Sequence, residues 1–99
     1  AAIATRVATV FNLEMANTPE MVDLALRLRP HQVTLVPERR EEVTTEGGLD
    51  LRVDPAGLTA ALAAMKRAGI RTSLFIDPDA EMVRRSLDVG ADAVELHTG

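Results

Sequence analysis

The sequence predicts an α/β fold with parallel strands, and three observations point to it. Short runs of alternating apolar residues are separated by longer stretches with apolar residues at helical spacing. Each helical stretch lies between two of the short runs, the order expected of parallel strands joined by crossovers. Strand-to-strand spacing is about 22 residues in the first and last units and about 39 in the middle one. The extra length follows the second strand, and the C-terminal ends of strands are where α/β folds bind ligands.

The elements can be justified in order. Residues 1–9 are Ala-rich and lack an N-cap, as expected at the end of a helix that began upstream. Residues 9–15 form the first strand, in which Phe11, Leu13 and Met15 alternate with Val10, Asn12 and Glu14. Asn17-Thr18-Pro19-Glu20 starts a helix. Asn17 or Thr18 can cap it, Pro19 suits the first helical position, and Glu20 favours the positive end of the helix dipole. Met21, Val22, Leu24, Ala25 and Leu28 form its apolar stripe, Arg27 and Arg29 suit its last turn, and Pro30 ends it.

Residues 32–36 are the second strand. A charged loop follows from Pro37 and reaches about Pro55; it carries two adjacent threonines and a Gly-Gly pair. A second helix is expected over residues 55–68, with Leu58, Ala61, Leu62 and Met65 on one face and Gly69 at its C-terminal cap. Residues 71–76 are the third strand. Asp77-Pro78-Asp79 opens a third helix, whose apolar residues are Met82, Val83 and Leu87 and which ends at Gly90. Residues 93–97 are the fourth strand.

Two architectures accommodate this order: a doubly wound open sheet and part of a closed (β/α)8 barrel. The strand faces favour the barrel. Phe11, Leu13 and Met15 share one face of the first strand, and Val94 and Leu96 share one face of the fourth. Asn12 and Glu14, and then Ala93, Glu95 and His97, share the others. One face is apolar and suits covering helices, while the other turns polar toward the strand ends, as at the mouth of a barrel. Four strands cannot close such a barrel. The expected fold is therefore a partial (β/α)8 TIM barrel, about half of a domain of roughly 250 residues. Residues 1–99 are expected to form a single segment of that domain, truncated at both ends.

Composition narrows the function classes. The chain has 99 residues, 46% hydrophobic and 26% charged, which is globular rather than disordered. With two Phe and no Tyr or Trp, its core has to be aliphatic. The net charge is −4 with both signs interleaved, so neither a nucleic-acid stripe nor an anionic-membrane anchor is expected. There is no cysteine, which removes disulfides and thiol chemistry. No apolar run approaches the roughly 20 residues of a membrane span. The first residues also lack the design of a signal peptide, so a cytoplasmic setting is the default expectation.

The candidate chemistry lies at the polar strand tips and in the loop. Glu14 stands between two apolar residues near a strand end. It reads either as an edge or paired carboxylate or as a general base or acid. Glu95 and His97 lie two apart at the tip of another strand, either as a structural pair or lining the same mouth as Glu14. His31 begins a strand at the opposite end of the sheet and cannot join His97, so no metal site is expected. Thr44-Thr45 and Gly47-Gly48 offer hydroxyls and backbone N–H groups that suit phosphate or polyol oxygens, and the glycine pair permits a hinge. Glu38-Arg39-Arg40-Glu41-Glu42 reads as a self-paired, solvated run, with a phosphate contact from Arg39 or Arg40 as the alternative.

Five stretches carry a resemblance. They are Asn12-Leu13-Glu14-Met15-Ala16, Leu35-Val36-Pro37-Glu38, Glu42-Val43-Thr44-Thr45-Glu46-Gly47-Gly48-Leu49-Asp50, Ser73-Leu74-Phe75-Ile76-Asp77 and Glu95-Leu96-His97-Thr98-Gly99. Together, in order and spacing, they resemble the pyridoxine 5'-phosphate synthase family of vitamin B6 biosynthesis. The resemblance implies a (β/α)8 barrel that condenses 1-deoxy-D-xylulose 5-phosphate with 3-amino-2-oxopropyl phosphate. The products are pyridoxine 5'-phosphate, phosphate and water, with no metal or organic cofactor. It implies a general base at Glu14, a contact to the deoxyxylulose phosphate at Thr44, and a proton-transfer or substrate-orienting role for Glu95. It further implies a closing lid around Gly47 and Gly48, small phosphorylated substrates as partners, and a homo-oligomer, commonly an octamer. By this resemblance the chain supplies the third to sixth strands of the barrel and is inactive alone. Two other readings remain open: a different phosphate-handling barrel, and a non-catalytic half-barrel that self-associates through its sheet edges.

Overall fold

The computed structural model describes residues 11–97. Strand β1 (Asn12–Met15) is followed by α1 (Pro19–Leu28), β2 (Gln32–Leu35), a single 3-10 turn (Arg40–Glu42), α2 (Pro55–Arg67), β3 (Arg71–Ile76), α3 (Ala80–Asp88) and β4 (Ala93–Leu96). The expected helix end over residues 1–9, together with Thr9, Val10, Thr98 and Gly99, lies outside the described residues.

The strands form one four-stranded sheet in the order β1-β2-β3-β4. Every neighbouring pair is parallel, with Glu14 opposite Thr34, Thr34 opposite Ser73, and Ser73 opposite Ala93. Spatial order follows chain order throughout, so the described sheet has no reversal of the kind that defines a doubly wound switch point. Buried residues of α1, α2 and α3 share one cluster with Met15, Val33, Leu35, Leu74 and Ile76, so the three helices lie against the same face of the sheet.

Local sequence explains where each helix starts and stops. Thr18 caps α1, its hydroxyl accepting the Met21 N–H at 3.2 Å, and Pro19 occupies the first turn. Arg29 closes α1 in the left-handed region, at φ 51°, with its N–H on the Ala25 carbonyl at 2.8 Å. Pro30 directly after it prevents continuation. Asp54 caps α2 through the Gly57 N–H at 3.1 Å, and Asp79 caps α3 through the Glu81 N–H at 2.8 Å.

The core fills the space between the helices and one sheet face. Met15, Val33, Leu35, Leu74 and Ile76 come from the strands, Ala25 from α1, Leu58, Leu62 and Met65 from α2, and Met82 from α3. Each fully buried Val, Leu, Ile or Met among them stabilises the fold by about 1.5–3 kcal/mol relative to exposure.

The apolar stripes of two helices are narrower than their sequences suggest. On α3 only Met82 of the three expected residues is buried, while Val83 is 38% and Leu87 69% exposed. The buried face of α3 instead pairs Met82 with Ser86, four positions on, whose hydroxyl is satisfied by the Val83 carbonyl at 2.6 Å. Val83 and Leu87 lie one residue further round, about 100° away on a 3.6-residue turn. On α1, Ala25 is fully buried and Leu28, in the last turn, stands exposed.

Candidate functional site

Alternation along the strands delivers a second face of different chemistry. Asn12 and Glu14 of β1, Thr34 of β2, Ser73 and Phe75 of β3, and Glu95 of β4 share it by register, and His97 continues it beyond β4. Three of these side chains are bonded across strands. Thr34 Oγ lies 3.0 Å from Asn12 Oδ1 and 3.0 Å from Glu95 Oε2. Thr34 is fully buried and has one proton, so it donates to one of the two partners at a time.

The bond to Glu95 spans β3, because Thr34 sits on β2 and Glu95 on β4. Ser73 is the residue of β3 in register with Thr34, and its small side chain leaves room for the carboxylate to cross. Ser73 is 1% exposed, and its hydroxyl has no hydrogen-bond partner among the described residues. Glu14 stands exposed on the same face. β1 is an edge strand of the described sheet, and among the described residues no helix covers this face.

The loop after β2 is folded. Val43 and Leu49 form an antiparallel bridge. Within it the Thr44 N–H reaches the Gly48 carbonyl at 2.9 Å and the Gly47 N–H the Thr44 carbonyl at 3.2 Å. Gly47 has φ 113°, a conformation other residues adopt only under strain. Leu49 and Leu51 are buried and anchor the loop in the core.

The tip of this hairpin rests on the C-terminal ends of β3 and β4. The Leu49 N–H donates to the Phe75 carbonyl at 2.8 Å. Asp77, directly after β3 and 4% exposed, receives the Gly48 N–H on Oδ1 at 2.9 Å and the Thr44 hydroxyl on Oδ2. A Cβ on Gly48 would lie 2.6 Å from the Asp77 backbone nitrogen, and one on Gly47 2.7 Å from His97 Nε2. Both glycines are therefore close-approach positions in this conformation. The His97 ring is in turn held against Phe75, with centroids 5.3 Å apart and planes tilted by 60°.

The charged run before the hairpin organises itself through the backbone. Glu42 Oε1 accepts the N–H groups of Glu38 and Arg39, each at 2.9 Å. The Arg39 N–H first, and then that of Glu38, hold the Glu42 carboxyl below its usual range. Arg39 and Arg40 are exposed. Further along, the Arg52 guanidinium sits 2.9 Å from Asp50 and holds that carboxyl down as well. Among the described residues, no cluster of three or more acidic or His side chains is arranged to hold a metal ion.

The arrangement thus brings Glu14, Glu95 and His97 to one open polar face and sets Thr44, Gly47 and Gly48 over the strand ends beside it. Sequence reasoning missed Thr34 and Ser73, although their alternation with Val33 and Leu74 could have placed them there. It read Asp77 only as part of a helix start. The signal was the second acid beside Pro78, since Asp79 alone supplies the cap.

The sequence model of one family, described as "Pyridoxal phosphate biosynthesis protein PdxJ", matches residues 1–99. The chain belongs to the PdxJ family. It is 57% identical over 93 residues to the pyridoxine 5'-phosphate synthase of Trichlorobacter lovleyi, covering 94% of this chain and 39% of that protein. It is 60% identical over 88 residues to the protein of the same name from Aquifex pyrophilus, covering 89% of the chain and 37% of the relative. With that of Syntrophotalea carbinolica it shares 54% identity over 97 residues, 98% of the chain and 41% of the relative. The chain therefore spans about two-fifths of the length of these PdxJ relatives.

Proposed function

We propose that this chain forms the central part of a pyridoxine 5'-phosphate synthase acting in vitamin B6 biosynthesis. The enzyme condenses 1-deoxy-D-xylulose 5-phosphate with 3-amino-2-oxopropyl phosphate, giving pyridoxine 5'-phosphate, phosphate and water. The observation that carries this reading is a coincidence of family and geometry. The two carboxylates to which the resemblance gives proton-transfer or substrate-orienting roles, Glu14 and Glu95, fall on the same face of the sheet, which no helix covers among the described residues.

In this reading the remaining strands close a (β/α)8 barrel, and the polar face becomes its interior. Such a condensation needs repeated proton transfers, and a positioned carboxylate supplies about 10²–10⁴-fold for one of them. Glu14 acts as general base at the barrel mouth. Glu95, held by Thr34 at 3.0 Å, orients substrate or relays a proton. Thr44 contacts the deoxyxylulose phosphate, and the hairpin around Gly47 and Gly48 serves as the lid that excludes water. The same reading makes the intact enzyme a cytoplasmic homo-oligomer that acts on small phosphorylated substrates. No helix of the described residues is long and apolar enough to cross a membrane.

The test is kinetic. In the intact enzyme Glu14→Gln is expected to lower kcat by about 10²–10⁴. A loss under tenfold removes Glu14 from the mechanism. The 99-residue chain alone is expected to form no pyridoxine 5'-phosphate, because the strands outside it would carry the rest of the site; turnover by the isolated chain would overturn that expectation.

A further inference from the structure

Thr44 is engaged by its own chain on two sides. Its hydroxyl donates to Asp77 Oδ2, and its Oγ accepts the Gly47 N–H at 3.2 Å. A threonine hydroxyl has one proton and two lone pairs, and a carboxylate only accepts. The proton is committed to Asp77 and one lone pair to Gly47. What Thr44 can still offer a ligand is a single acceptor position.

Asp77 is well placed to enforce this. It is 4% exposed, and its other oxygen is held by the Gly48 N–H at 2.9 Å. Gly48 approaches so closely that no side chain fits between the hairpin and the Asp77 backbone. The carboxylate cannot swing away from Thr44 without also releasing the Gly48 N–H and so unseating the hairpin tip.

We propose that Asp77 is a positioning residue that fixes the hydrogen-bond polarity of Thr44, so that Thr44 accepts from a hydroxyl of the polyol phosphate substrate and does not donate to its phosphate. This deepens, and rests on, the reading of Thr44 as a substrate contact. A phosphate monoester above its second pKa, near 6, brings only lone pairs. It would meet the remaining lone pair of Thr44 with repulsion, whereas an O–H of the sugar chain meets it as a donor. Asp77 thereby selects which end of a phosphorylated sugar lies under the hairpin tip.

The experiment uses the intact enzyme and calorimetric binding of 1-deoxy-D-xylulose 5-phosphate and, separately, of inorganic phosphate. Asp77→Asn keeps an acceptor for the Gly48 N–H but presents an amide donor to Thr44, which reverses the bond. The sugar phosphate Kd is expected to rise about 3- to 10-fold, the value of one hydrogen bond, while inorganic phosphate binds no more weakly. Thr44→Val is expected to give the same rise, and Asp77→Asn to add nothing in the Thr44→Val background. Hydrogen exchange at the Gly48 amide reports the seating of the hairpin independently of binding; it is expected to stay slow in Asp77→Asn and to accelerate in Asp77→Ala. Additive effects of the two substitutions, a wild-type Kd in Asp77→Asn, or fast Gly48 exchange in that variant would each overturn the proposal. If the wild-type enzyme binds no sugar phosphate, the functional reading itself fails, and the proposal falls with it.

Discussion

The two faces of the sheet are built from alternate residues of the same strands, yet they are held in different ways. On the helix side Val33, Leu35, Leu74 and Ile76 are each fully buried within one apolar cluster. On the other side Asn12 and Glu95 share the single Thr34 hydroxyl proton, 3.0 Å from each acceptor, and Glu14 stands exposed. Non-directional packing tolerates small changes of shape and supplies most of the stability. A directional polar network supplies little net stability and fixes where each group points. The chain thus separates stability from chemistry by a single residue step along each strand.

That contrast can be broken most directly at Leu74. Leu74→Ala removes a fully buried side chain from the apolar face and is expected to cost the intact protein about 2–5 kcal/mol in denaturant unfolding. A cost below about 1 kcal/mol would mean that this face is not the main source of stability. Its counterpart on the polar face is Thr34→Val, which keeps volume and removes the hydroxyl shared by Asn12 and Glu95. Here kcat/KM is expected to fall about tenfold, as for one hydrogen bond to a charged group, with a stability loss of about 1 kcal/mol. A stability loss as large as that of Leu74→Ala would erase the distinction between the faces.

Asp54→Ala tests how far the covering helices depend on local capping. Asp54 accepts the Gly57 N–H at 3.1 Å, and its loss is expected to cost about 1 kcal/mol in the same unfolding measurement. No change would show that packing of α2 alone secures its start.

The smallest expected effect concerns pH. The folded-state pKa of Glu42 is depressed by the Arg39 and Glu38 N–H groups. The folded form therefore binds a proton less readily than the unfolded form. Its contribution is complete above the ordinary value of 4.5 and is lost as pH falls through the lowered one. Amide exchange at Glu38 and Arg39 is expected to accelerate in that acid window, and Glu42→Gln to abolish the pH dependence. An unchanged acid response in Glu42→Gln would assign the effect to another group.

Much of the fold was legible in the sequence because its signals are local. Thr18-Pro19, Asp54-Pro55 and Asp79 act within one helical turn, and the strand over Arg71–Ile76 is bounded as its apolar run suggests. Strand alternation likewise puts Glu14, Glu95 and His97 on one polar face, because that period is local. The exposure of Val83 and Leu87 was not legible, since a helix lists its apolar residues but not which of them its neighbour covers.

By itself, then, the sequence determined the order of the elements, their parallel sense, the family-like motifs and the faces on which the carboxylates lie. These follow from capping chemistry and from side-chain periods of 2.0 and 3.6 residues. Tertiary structure alone decided that Thr34 meets Glu95 across 61 residues of chain, and that Asp77 takes the Thr44 hydroxyl across 33. Such bonds have no local signature. They exist because parallel register sets β2 beside β3 and β3 beside β4, and because two glycines let the hairpin descend onto the strand ends.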